Sequence, residues 1–378
     1  MSAPFVPQSK NLDHLGLVAG MYDDLGIGTL IDNLIPQDTT RRILSVGQAV
    51  KAMVLNGLGF VNQNLYLSPQ FFATKPVDIL IGPDVHAEHV NDDVLGRSLD
   101  QIFEFGATEL FFKIAMQSTV RLGISPTFSH LDSTSFHLDG EYKTEETSAI
   151  KITHGYSRDH RPDLKQIVLN LIVENQAGIP MLMKICDGNT QDKTGFREVI
   201  QQHLEQLQGA THIDYLVADS ALYTKETLQE LDKYQVSWIT RVPENIKEAK
   251  QAIAAYQSSK SDLLAEGYQF VLHQSEYAGI QQRWLVIHSS AAEKRCHHSV
   301  TKSFLLQSEK EYRAFSKLCK EQFACRQDAE KALNHFKKKQ KLTSILDQGV
   351  LSEKGYSQPG RPKKASEPDR IYYVITGG

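Results

Sequence analysis

Apolar residues recur at helical spacing in the first third of the chain and at strand spacing in the second. Ser45 with Gln48 makes a capping-box pattern, after which Val46, Ala49, Val50, Met53, Val54 and Leu58 fall on one helical face. Asn91 opens a second helix with Leu95, Leu99, Ile102 and Phe103 on one side, and Thr108 is placed to cap a third that runs to Leu122. The chain from about residue 12 to 122 therefore reads as helical. Packing accounts for these stripes; units of this kind also bind DNA or pair with a second copy, and the stripes alone do not choose.

After Pro126 the period shortens to two. Phe128–Phe136 has strand-like alternation, Gln166–Val173 (QIVLNLIV) is rich in β-formers, and Pro180–Cys186 (PMLMKIC) is a third run, set off by the turn signal NQAG. These predict a three-stranded antiparallel meander. A helical stretch over Gly195–Leu207 leads to the apolar run Tyr215–Ala218, which Asp219 breaks. A helix over Thr224–Tyr234 and a strand over Val236–Val242 complete the order βββ-α-β-α-β. That order predicts an α/β fold with a ribonuclease H-like mixed sheet, antiparallel on one side and parallel on the other. Beyond Pro243 come a helix, strands near Tyr268–His273 and Arg283–His288, charged helices to about Asp347, the linker GYSQPGRPKKASEPD and the strand-like RIYYVITGG. The expected domains are a helical unit over 10–122, a ribonuclease H-like core over 126–243, and an inserted α+β accessory subdomain over 244–378 that is incomplete at the chain end.

Composition narrows the class. With 41% hydrophobic and 23% charged residues the chain sits among globular proteins, and no stretch approaches the roughly 18–20 apolar residues of a membrane span. The start, MSAPFVPQSKNLDHLG, has neither the basic nor the apolar region of a secretory signal, so a cytoplasmic protein is expected. Cys186, Cys296, Cys319 and Cys325 form no C-x-x-C pair and read as reduced structural thiols; His297 and His298 beside Cys296 read as a solvated stretch rather than a metal cluster. Charge is uneven. The formal net is −4, yet Lys294–Arg370 holds 18 Lys and Arg against 9 Asp and Glu. That tract is either a polyanion-binding surface or a solvated helical face.

Two aspartates stand where strands carry or release the chain. Asp132 lies in HLDSTSF among β-formers, and Asp219 ends YLVAD. In the predicted sheet their strands, first and fourth, are neighbours, so both carboxylates can converge on one hard cation such as magnesium. Taken singly, either could simply cap the next turn.

HLDSTSFHLDGEY, HGYSRDHRPDLKQIVLNLIV, DGNTQDKTGF and YLVADSALYTKETLQEL, in this order, resemble the DDE transposases of bacterial insertion sequences, in the group whose ribonuclease H-like domain carries a large β-rich insertion. LDHLGLVAGMYDDLGI and NDDVLGRSLDQIFEFG resemble the helical domain that precedes the catalytic domain in one branch, so the similarity runs along nearly the whole chain. The resemblance implies that Asp132 and Asp219 are the first two acids of a catalytic triad, holding Mg2+ or Mn2+ for DNA cleavage and strand transfer. It further implies double-stranded DNA partners, transposon ends and target, a homodimer when acting, and a place at the bacterial nucleoid. Arg158, His160, Arg161 and Lys165 are then expected to contact DNA phosphates, the alternative being a polar loop with paired charges. Asn189, Thr190 and Asp192 support the pocket or form an Asx turn, and GRPKK is either a minor-groove hook or a flexible linker.

The family's third acid is a Glu on a late helix, in a Y-x2-R-x3-E-x6-K motif after the insertion. Phe323, Arg326, Glu330 and Lys337 reproduce the spacing with Phe for Tyr, but they lie inside the charged helices of the apparent insertion, with GRPKK and another strand still to come. The expectation is a transposase shortened before its catalytic Glu, with Glu330 as the alternative third acid. The competing reading is a catalytically inactive DNA-binding or dimerisation remnant; a stand-alone metal-dependent nuclease would need Glu330 or another acid.

Overall fold

A computed structural model describes residues 9–37, 43–61, 63–143, 148–211, 213–256, 261–356 and 368–377. The GRPKK stretch lies outside the described residues. The chain forms two compact units: Met1–Gln251 with Ser275–Gln282, and Ala252–Gln274 with Arg283–Gly378.

The first unit opens with seven helices, α1 (Leu15–Asp24), α2 (Ile27–Leu34), α3 (Val46–Gly57), α4 (Ser68–Ala73), α5 (Val77–Leu80), α6 (Asp92–Phe105) and α7 (Ala107–Leu122). Ser45 and Gln48 form the full capping box of α3, and the Asn91 side chain caps α6 by accepting the Val94 N–H at 3.1 Å. Thr108 is not a cap. Gly106, at φ 103°, ends α6 and starts α7 in a backbone conformation few other residues adopt, which puts Thr108 inside the first turn. The buried faces are also rotated from the expected stripes. In α3 the core face is Val46, Ala49, Ala52 and Leu55, whereas Leu58 lies past the helix end and is exposed. In α6 Leu95 and Ser98 are buried while Leu99 and Phe103 face solvent. Ser98 is tolerated there because its hydroxyl donates to the Val94 carbonyl at 2.9 Å.

The sheet has the order β3-β2-β1-β4-β5, from β1 (Phe128–Leu138), β2 (Lys165–Glu174), β3 (Pro180–Cys186), β4 (Tyr215–Ala218) and β5 (Ser237–Thr240). Strands β1, β2 and β3 pair antiparallel, and β1, β4 and β5 pair parallel. With α8 (Asp192–Thr211) and α9 (Lys225–Lys233) between them, this is the ribonuclease H-like mixed sheet. On β2 the alternate residues Gln166, Val168, Asn170, Ile172 and Glu174 are buried. The polar ones have internal work. Glu174 accepts the backbone N–H groups of Gln176, Ala177 and Ile179 at 2.6–2.8 Å and so fixes the β2–β3 turn. Burial pushes its carboxyl upward, but these donors outweigh it and leave the carboxyl below its ordinary value.

In the second unit β6 (Asp262–Ala265) joins β7 (Tyr268–Tyr277) and β8 (Ile280–Ser289), two strands whose facing ends belong to the first unit. α10 (Lys247–Ala254), most of which belongs to the first unit, precedes them in the chain, and α11 (Ser290–Leu318), α12 (Arg326–Lys339), β9 (Gly349–Gly355) and β10 (Arg370–Thr376) follow. The RIYYVIT strand, β10, pairs antiparallel with β9 along its whole length, and Ile375 packs with Phe315, Ala329 and Leu333. Glu311 is 6% exposed and accepts five hydrogen bonds. The Thr343 hydroxyl at 2.6 Å and the Gln307 amide, helped by backbone N–H groups of 341 and 343, pull its carboxyl from 4.5 to about 2. A lowered folded-state value makes its stabilisation complete above about 4.5 and lost as pH falls toward 2. Glu311→Gln is therefore expected to lower the melting temperature at pH 7 and to flatten its fall between pH 4.5 and 2, as read by circular dichroism melts.

Among the described residues no helix is long and apolar enough to cross a membrane. The four cysteines are free, and burial pushes the Cys186 thiol up.

Candidate active-site edge

Leu131 and Ala218 are the last paired residues of the parallel β1–β4 ladder, so Asp132 and Asp219 are the next residue on each strand. Neighbouring strands lie ~4.8 Å apart, which brings the two carboxylates to one edge. Strand β1 continues beyond this point on the β2 side, where Asp132 faces Leu171, whereas β4 ends and Asp219 turns the chain. Both aspartates are exposed. Asp219 does cap the following turn, its Oδ1 accepting the Ala221 N–H at 2.9 Å; Asp132 Oδ1 accepts the Ser133 N–H at 2.8 Å. In each carboxylate the second oxygen has no hydrogen-bond partner among the described residues. Two hard oxygens, each one residue past the last pair of neighbouring strands and open to solvent, are donors that suit magnesium or manganese. Among the described residues, no group of three His, Cys, Asp or Glu is arranged to hold a metal ion.

The expected cations meet different fates. Arg158 reaches the edge: its Nη1 lies 4.0 Å from Asp132 Oδ1 and donates to the Ser133 carbonyl, while Nη2 donates to Ser133 Oγ at 2.7 Å and Asp192 Oδ2 at 3.1 Å. Arg161 forks onto Asp163 (3.0 and 2.8 Å), which raises the guanidinium's pKa and lowers the carboxyl's. Lys165 donates to the Tyr142 carbonyl, and His160 is exposed at φ 57°.

Two residues matter more here than their sequence context suggests. Asp192, the first residue of α8, accepts the Ser133 hydroxyl at 2.6 Å as well as Arg158. Gln166 is buried, with its amide donating to the carbonyls of Tyr156 (3.2 Å) and Gly188 (2.7 Å). Together with Ser133, Arg158 and Asn189 they line a 360 Å³ cleft. Asp192 is expected from the sequence, with Asn189 and Thr190, either to support the pocket or to form an Asx turn, whereas nothing in QIVLNLIV distinguishes Gln166 except a polar residue on an apolar run.

The glycines of HGYSRD and DGNTQD explain why these segments travel together. A Cβ on Gly155 would stand 2.0 Å from the Gly188 carbonyl oxygen, and one on Gly188 would stand 1.9 Å from the Gln166 carbonyl oxygen. Backbone contacts this close leave no room for a methyl group. Gly188→Ala is expected to cost about 1–3 kcal/mol, visible as a lower urea midpoint.

Residues 125–315, just over half of the chain, match the family described as "Transposase DDE domain", and residues 7–116 match "Domain of unknown function (DUF4277)". No curated protein matches the chain. Among solved structures, a piggyBac transposase synaptic complex with hairpin DNA aligns at 10% identity and a TM-score of 0.32 over 71% of this chain and 52% of that one. A Mos1 mariner paired-end complex with Mn aligns at 10% identity and a TM-score of 0.22 over 42% and 54%. The chain thus spans about half the length of either. A ribonuclease H-like sheet with an aspartate at the end of β4 and another beside it on β1, over the span that the family model matches, leads to one assignment: the chain belongs to the transposase DDE-domain family.

Proposed function

We propose that the first unit carries a site for phosphoryl transfer on double-stranded DNA, with Asp132 and Asp219 holding Mg2+ or Mn2+. The observation that carries this reading is that Asp132 and Asp219 each follow directly on Leu131 and Ala218, the last pair of two adjacent parallel strands, within the span that the family model matches. When bound, the cation would activate an attacking oxygen and stabilise the leaving oxygen at phosphorus. The protein's share is to hold both carboxylates on a rigid sheet edge and to keep Arg158 beside them. Cleavage at transposon ends and joining to a target would use this edge, in a homodimer acting at the bacterial nucleoid. In this reading 126–243 is the catalytic core, 10–122 a helical domain and 244–378 an accessory subdomain. Arg158, His160 and Arg161 in the loop before β2, with Lys165 at the first position of β2, would meet phosphates, Arg161 by exchanging Asp163 for a phosphate.

A third acid is not assigned. Glu330, on α12, accepts from Arg326 at 2.9 Å in an exposed i,i+4 pair. The lack of a three-acid group among the described residues favours a second reading, a catalytically silent DNA-binding or dimerising protein.

Manganese titration tests the metal edge. Wild type is expected to bind Mn2+ weakly, and Asp132→Asn should reduce affinity at least about tenfold, since even outer partners of a metal site commonly matter that much. Equal binding by wild type and the Asp132→Asn, Asp219→Asn double variant would remove the assignment.

A further inference from the structure

Arg158 stands beside Asp132 in a long ion pair, without a hydrogen bond to it. At 4.0 Å the Nη1–Oδ1 separation is too long for a hydrogen bond, and the Asp132 side chain remains 79% exposed. The guanidinium makes its hydrogen bonds elsewhere, to the carbonyl and hydroxyl of Ser133 and to Asp192. Both oxygens of Asp192 are engaged in turn, one accepting from Ser133 Oγ and the other from Arg158. Arg158, Ser133 and Asp192 therefore close a triangle that joins β1, the loop before β2 and the start of α8. Ser133 is its buried corner, 3% exposed and next in the chain to Asp132. Asp192 also lies in the first turn of a 20-residue helix, where the helix dipole favours a negative charge.

Two carboxylates thus compete for one guanidinium, and Asp192 holds it. Were Asp192 neutral, the nearest remaining anion in this set would be Asp132. We propose that Asp192 and Arg158 are a positioning pair for the metal-binding edge: Asp192 holds the Arg158 guanidinium off Asp132, leaving that carboxylate open to a divalent cation. The pair acts through Asp132 and touches no reacting atom. This inference rests on the proposed role of Asp132 as a metal ligand.

The test is Mn2+ titration followed by electron paramagnetic resonance of the free ion, on the full chain at fixed ionic strength. Arg158→Gln removes a unit charge about 4 Å from the ligand and is expected to tighten Mn2+ binding about fivefold. A merely structural role would not tighten it. Asp192→Asn frees Arg158 to close on Asp132 and should weaken binding by about fivefold or more. In the Arg158→Gln background, the same Asp192→Asn change should alter affinity by less than about twofold, because the competitor is gone. Should Arg158→Gln lose the native melting transition, Arg158→Met, which keeps the aliphatic length, takes its place. Two results overturn the proposal: unchanged or weaker binding in the neutral Arg158 variant, or an Asp192→Asn effect of equal size in both backgrounds. Asp132→Asn separates the levels. If it does not reduce Mn2+ binding, the metal-edge reading falls and the pair falls with it; if it does while Arg158→Gln fails to tighten, only the pair falls.

Discussion

Supplied with magnesium or manganese and a duplex carrying the ends of its own element, the 378-residue chain is expected to leave both strands intact over hours. Two carboxylates at the β1–β4 edge can hold a cation, but in-line displacement at phosphorus is served by two ions ~3.5–4 Å apart, clamped on attacking and leaving oxygens. The described residues bring no third acid into such a group. On the reading that these two carboxylates act without a third, the expected deficit follows from the ~10²–10³ in rate that losing one preorganised element of transition-state stabilisation commonly costs. Gel assays of nicking and strand joining read this directly. Robust cleavage that Asp132→Asn, Asp219→Asn and Glu330→Gln each abolish would overturn the expectation and make those three residues the triad. Cleavage abolished by the aspartate changes but untouched by Glu330→Gln would instead send the search to another acid.

The strand order was legible because β1 has strand-like alternation, β2, β3 and β4 are short β-rich apolar runs, and βββ-α-β-α-β has few ways to pair. Hence Asp132 and Asp219 could be placed on neighbouring strands before their register was known. What stayed hidden depends on contacts between distant segments. Gln166 reads as an interruption of QIVLNLIV, yet it is buried because Tyr156 and Gly188 present carbonyls to it. Asp192 reads as a turn former, and its link to Ser133 exists only once α8 docks beside β1. Helix faces slipped for a related reason: polar Lys51 and Ser98 sit on buried faces since Asp23 and the Val94 carbonyl satisfy them, and apolar Leu99 and Phe103 face out. Strands β6 and β9 were missed because DLLA is only four residues long and exposed throughout, and GVLSEKG is mostly polar or glycine and mostly exposed. The cations of the loop before β2 were visible as charges, but not their partners. Arg161 with Asp163 two positions on is a neutral fork, whereas Arg158 reaches across to another segment.

DNA binding is expected to fall steeply with salt, and the second unit supplies the sharpest handle on that slope. Lys337, Lys338 and Lys339 form the last turn of α12, and none of them is in an ion pair among the described residues. Their charges are thus available, unlike that of Arg161, which must first give up Asp163. Each phosphate neutralised on duplex DNA contributes about −0.9 to the slope of log affinity against log salt. If all three lysines contact phosphate, replacing them with Gln should flatten the slope by about 2.7, and their joint contribution should shrink ~40-fold between 50 and 200 mM salt. Fluorescence anisotropy with a labelled duplex across that range gives both quantities. Arg161→Ala should move the slope by less than one unit, because in the folded chain Asp163 already neutralises much of the charge that the substitution removes. A slope unchanged in the triple variant would confine phosphate binding to other cations and leave the basic tract a solvated helical face. No binding by the intact chain even at 50 mM salt would count against both the transposase and the silent DNA-binding reading.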